Sequence, residues 1–179
     1  MERQQAGKPH SAKDNVVQAI HGAGDIGEAL VDEVSRSVQT TIRGVGNIAA
    51  SLTQAIAEVT QGTIQAVHET GGDLASAARG AVLGVIRGTR DAGSEQMQSI
   101  RETGGAVITS TSGLAGDVGS ATKGLVAGAI EGAKEIGLDA TEAATAAATG
   151  ALEAAATVGA TARDKVRNAL KGTIARVQD

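Results

Sequence analysis

Bulky aliphatic residues recur along this chain at one interval: Ile20, Ile42, Ile64, Ile86, Ile108, Ile130, Leu152 and Ile174, each 22 residues after the last. Midway between them stand Val31, Thr53, Ala75, Met97, Gly119, Thr141 and Arg163, so an 11-residue unit runs beneath the 22-residue one. Eleven residues make three helical turns at about 3.67 residues per turn, near the natural repeat, so one face stays in line along a long helix.

Counting from Ile20 as zero, the third place of the unit carries Val45, Ile56, Val67, Ile100 and Val166 among others, and the tenth carries Leu30, Leu52 and Leu74. Together with the zero, sixth and seventh places these fall in an arc of roughly 130°, the width of an ordinary amphipathic face. Its bulky members are Ile20, Val31, Ile42, Val45, Ile56, Ile64, Val67, Ile86, Ile100, Ile108, Ile130, Leu152, Val166 and Ile174, read as a helix-packing or surface-binding stripe. The seventh place is small or branched, and Gly27, Gly71, Gly93, Gly137 and Gly159 there read as positions of close backbone approach. Charges sort away from this face. Cations such as Arg79, Arg101 and Lys134 hold the fourth place, and Asp73, Glu95, Asp117 and Asp139 hold the ninth.

The pattern predicts an all-α chain. A polar tail over residues 1–13 contains the only proline, Pro9, and a single hendecad-repeat amphipathic helix follows over 14–177. Some 160 helical residues would reach on the order of 240 Å. Gly71 and Gly72 read as helical because Gly71 keeps the register. The stretch TGGAVITSTSGLAGDVG, residues 103–119, is the place for a kink or hairpin if the helix breaks. Beyond about residue 120 the stripe thins to alanine, and Arg163, Lys165, Arg167, Lys171 and Arg176 make a basic C-terminal end over 163–176. Hendecad helices pack in nearly straight or slightly right-handed assemblies.

Composition sharpens the picture. No Phe, Tyr or Trp occurs and glycine numbers 25 in 179 residues. At roughly 1 kcal/mol per interior helical glycine relative to alanine, a lone helix would be weak, so the stripe must meet another surface. Cysteine is absent, the first residues lack the apolar core of a secretory leader, and no run of 18 apolar residues exists. These features predict a cytoplasmic protein, peripheral to a membrane or granule if it binds one. A net charge of −4 with interleaved signs gives no footprint for nucleic acid. His10, His21 and His68 lack metal-ligand spacing, and the glycine pairs follow no strand that would make a phosphate loop. No metal, cofactor, small-molecule substrate or enzymatic activity is expected.

The repeat over residues 16–177 resembles that of 11- and 22-residue-repeat amphipathic proteins: the synucleins, exchangeable apolipoproteins, perilipins and late-embryogenesis proteins. Residues 103–119 are synuclein-like in their Gly, Val and Thr content. The expected function is that of a non-enzymatic structural protein whose stripe joins copies of the chain into a homo-oligomeric rod or filament. The alternative, implied by the resemblance, is an amphipathic helix coating a membrane, lipid droplet or storage granule.

Overall fold

A computed structural model describes residues 26–44, 48–90 and 96–178. These form seven helices: α1 (Ile26–Gly44), α2 (Ile48–Glu69), α3 (Leu74–Thr89), α4 (Gln96–Gly113), α5 (Val118–Ile136), α6 (Ala140–Val158) and α7 (Ala160–Gln178). The single helix expected over 14–177 is therefore replaced by a bundle of shorter ones. The tail over 1–13 lies outside the described residues.

The local cause is a turn written at the same interval as the stripe. Gly71 and Gly137 are left-handed, with φ of 73° and 78°, and Ala115 takes the same kind of conformation at 55°. In each case the next residue closes the helix end: the amide of Gly72 donates to the Val67 carbonyl at 2.8 Å, Gly116 to Thr111 at 2.9 Å and Leu138 to Ala133 at 2.8 Å. One residue further on, an aspartate starts the next helix. Asp73 accepts from the Ala75 amide at 3.1 Å, Asp117 from Ser120 at 3.1 Å and Asp139 from Glu142 at 3.0 Å. The seventh and ninth places of the repeat are thus a helix stop and a helix start. Residues 103–119 do contain a hairpin, but so does the Gly71–Gly72 step read as helical.

The repeat then has a different meaning. Ile42, Ile64, Ile86, Ile108, Ile130, Leu152 and Ile174 fall one on each successive helix, α1 to α7. Each helix makes its most extensive contacts with the helix two places along the chain, so α1, α3, α5 and α7 form one layer and α2, α4 and α6 the other. The described turns at 70–73, 114–117 and 137–139 reverse the chain, and helices within a layer run parallel: Gly124 of α5 lies beside Ala75 of α3, Gly128 beside Arg79 and Gly132 beside Ile86.

The aliphatic core lies between and within these layers. Val31, Ile56, Ile64, Val67, Ile86, Ile100, Ile108 and Val166 are between 0% and 4% exposed, and Ile130 and Leu152 are partly buried against the same core. Helices of the same chain cover the stripe, so it is not left open along a rod. That coverage overturns the filament and self-assembly reading, the membrane- or granule-coating reading, and the likeness to synucleins, apolipoproteins, perilipins and late-embryogenesis proteins. The reason for expecting a homo-oligomer was the open stripe, and that reason goes with it. Among the described residues, Val158 is the exposed large hydrophobic, and no helix is long and apolar enough to cross a membrane. Ile20, Val45 and Gly93, and the surroundings of Ile42, Ile174 and Gly27, lie outside the described residues.

Candidate binding groove

Glycine sets how closely the helices within a layer approach. In the first layer, a Cβ built on Gly124 would sit 1.9 Å from the Ala75 carbonyl oxygen, one on Gly128 2.5 Å from Val82 Cγ1, and one on Gly132 2.6 Å from Ile86 Cδ1. The same run one repeat pair earlier, Gly84 and Gly88 of α3, would meet Val34 and Val38 of α1 at 2.5 and 2.9 Å. These gaps leave no room for a methyl group, so backbone packs on backbone and on the flanks of β-branched side chains. In the second layer α4 and α6 meet in the same way: Gly104 would contact the Ala147 carbonyl at 2.6 Å and Gly150 the Arg101 carbonyl at 1.9 Å.

The α2/α4 pair breaks this rule. Subtracting the 44-residue pair interval from Gly104 and Gly150 gives Thr60 and Ala106, both of which carry the Cβ that the α4/α6 pair cannot hold. The contact between α2 and α4 is correspondingly less extensive than that between α4 and α6. A groove of about 530 Å³ lies between them. Thr53, Ala57, Gln61 and Gln65 line the α2 wall; Glu102, Gly105, Ala106, Thr109, Ser110, Gly113 and Leu114 line the other.

The groove is lined by more apolar than polar surface and carries little charge. Its one carboxylate, Glu102, is engaged at one end, accepting from Thr53 Oγ1 at 3.0 Å and Gln98 Nε2 at 3.2 Å. Farther along, the side chains of Gln61, Gln65, Thr109 and Ser110 make no hydrogen bond among the described residues. Thr60 and Thr111 are buried with their hydroxyls unpartnered, whereas other threonines pair locally. Thr63, Thr103 and Thr122 return their hydroxyls to the carbonyl four residues back at 2.7–2.8 Å. The groove therefore offers two amides and two hydroxyls with donors and acceptors to spare.

Ion pairs brace the tightly packed helices. Arg87 grips Glu135 with both arms, at 3.0 and 2.9 Å, and Arg79 Nε donates to Glu131 at 2.8 Å, both pairs joining α3 to α5. Arg101 and Glu153 join α4 to α6 in the same way. The hydrogen bond from Arg87 holds the Glu135 carboxyl below the usual carboxylate range, and the same bond raises the Arg87 guanidinium. Asp117 is also held low, first by the Ser120 amide and then by its hydroxyl.

The glycines expected to give close approach divide differently. A Cβ on Gly71, Gly137 or Gly159 would meet nothing within 4 Å, since all three lie at turns with positive φ. The close-approach glycines are instead Gly84, Gly88, Gly104, Gly124, Gly128, Gly132 and Gly150. Their sequence signal is the four-residue spacing in Gly80-Gly84-Gly88 and Gly124-Gly128-Gly132. His68 is exposed at the end of α2, His10 and His21 lie outside the described residues, and no group of metal-ligating side chains occurs among the described residues. A scan against protein-family models finds no match, and a search of curated proteins finds no significant one.

Proposed function

We propose that this chain is a non-enzymatic helical scaffold that binds a segment of another macromolecule in the groove between α2 and α4. The observation that carries this reading is that the groove is built by specific substitutions in the repeat. Thr60 and Ala106 stand in this pair of helices where the α4/α6 pair has the glycines of its closest approach. The reading includes no small-molecule turnover and no nucleic acid, and it places the protein in the cytoplasm, in keeping with a fold that uses no cysteine.

The experiment is to close the groove. Linear peptides selected against the wild-type chain by display should bind it and lose binding to the T60G/A106G variant, in which α2 and α4 approach as α4 and α6 do. Peptides that bind both forms equally would show that the groove is not the binding surface.

A further inference from the structure

We propose that α7 is a detachable end helix, which swings off α5 and α6 about Gly159 while the rest of the bundle stays folded. The helices of the first layer are not all fastened alike. At one end, α1 and α3 meet by close approach: Cβ atoms built on Gly84 and Gly88 would fall 2.5 and 2.9 Å from Val34 and Val38. α5 is held on α3 in the same way through Gly124, Gly128 and Gly132. Carried forward by 44 residues, that run becomes Asn168, Gly172 and Arg176. Asn168 brings a Cβ to the place where one on Gly124 would sit 1.9 Å from a carbonyl oxygen, so α7 is kept from the same approach. Gly172 shows the result: it is exposed, and nothing lies within 4 Å of its Cβ position.

Two further fastenings are missing at the same helix. Arg79 and Arg87 tie α3 to α5 through Glu131 and Glu135. Lys123 of α5 repeats the place of Arg79, but the residue 52 positions further on, where Glu131 answers Arg79, is Ala175. Among the described residues no ion pair joins α5 to α7. The turn differs as well. Gly71 and Gly137 are followed two residues later by capping aspartates, whereas Gly159 is followed there by Thr161, and its φ of 150° lies apart from their 73° and 78°. Beside it stands the exposed Val158. What α7 retains is a narrow apolar face: Ala162, Val166, Ala169 and Leu170 are buried, and of these only Val166 and Leu170 exceed alanine in size. α1, by contrast, buries Leu30, Val31, Val34 and Val38. A helix held by so little apolar surface, without the glycine contact or the seam pair, opens at a lower free energy than the bundle it caps. Opening uncovers an apolar face of α5 and α6 whose occupant in the closed form is α7 itself.

Native-state hydrogen exchange on the full chain, read by mass spectrometry, tests this. Amides of residues 164–173 should exchange about tenfold faster, or more, than those of α1 and α3, evenly along that stretch and with acceleration by low urea, as the opening of a whole helix requires. The N168G/A175E/R176G variant restores the glycine run and the seam carboxylate. Although its two added glycines lower helix propensity, it should slow exchange over 164–173 about fivefold. Protection there equal to that of α3 would overturn the proposal, as would protection that falls steadily from Gly159 towards the chain end, since that is fraying and not undocking. A variant that exchanges as fast as wild type would overturn the fastening argument and the proposal with it.

Discussion

At the scale of single residues, glycine does three separate jobs in this chain, and each predicts a different response to one added methyl group. Gly124 has a carbonyl 1.9 Å from where its Cβ would be, so Gly124→Ala must push α3 and α5 apart. A loss of about 1–3 kcal/mol is expected in urea unfolding. Gly172 is helical, exposed and has nothing within 4 Å of that place. There the same change should stabilise by about 0.5–1 kcal/mol through helix propensity alone. The turn position at Ala115 reverses the logic. A residue with a Cβ holds φ of 55° where Gly71 and Gly137 occupy the equivalent turns, so Ala115→Gly should raise the urea midpoint by relieving left-handed strain, by about 0.5–1 kcal/mol after the unfolded chain's greater freedom is counted. Sequence alone separates these roles only by their neighbours. Gly71 and Gly137 are followed two residues on by a capping aspartate, whereas Gly124, Gly128 and Gly132 are followed by one another.

At the scale of helices, charge works at ends and seams. Asp117 caps α5, and Glu135 ties α5 to α3 through Arg87. Both carboxyls titrate below their usual range in the folded protein. A carboxyl with a depressed folded pKa binds fewer protons folded than unfolded, so its contribution is complete above the unfolded value and is lost as pH falls through the folded one. Thermal unfolding followed by circular dichroism should therefore show a melting temperature that is level near neutrality and drops once the pH enters and passes below the carboxylate range. Asp117→Ala should lower stability at pH 7 by about 1 kcal/mol as a lost cap, and should make the acid limb shallower. A variant with an unchanged acid limb would show that the cap is not formed. Sorting charges by place in the repeat located the exposed positions but not their partners. Arg79 and Glu131 are 52 residues apart, a distance that brings side chains together only after the chain has turned back twice.

At the scale of the whole molecule, the 22-residue interval has two physical solutions. Two hendecads on one straight helix and one helix plus a turn both return an aliphatic residue to the same relative place. The stripe from Ile42 to Leu152 is identical in either, which is why the all-α character was legible and the architecture was not. The turn chemistry decides it: left-handed residues at 71, 115 and 137, each followed two positions later by an aspartate cap, break the helix often enough for the stripe to bury itself. The groove was less legible still, because Thr60 and Ala106 become unusual only when compared with Gly104 and Gly150 across parallel helices. Contacts dominated by helices one and two places apart also make the molecule nearly one-dimensional, so damage at one seam should remain local. Hydrogen exchange in Gly124→Ala should accelerate in α3 and α5 well before it does in the α4/α6 pair.

The most direct test of the self-buried architecture is a distance between two labels on α4 and α6. Gln98 and Glu142 are 44 residues apart, both exposed, and both border one hollow between α4 and α6. Spin labels on the Q98C/E142C chain should lie close enough for strong dipolar broadening, given about 8–10 Å between packed helix axes. That broadening should persist on dilution with unlabelled protein, as an intramolecular contact requires. A separation near 66 Å, the length of 44 residues of unbroken helix at about 1.5 Å each, would contradict the account.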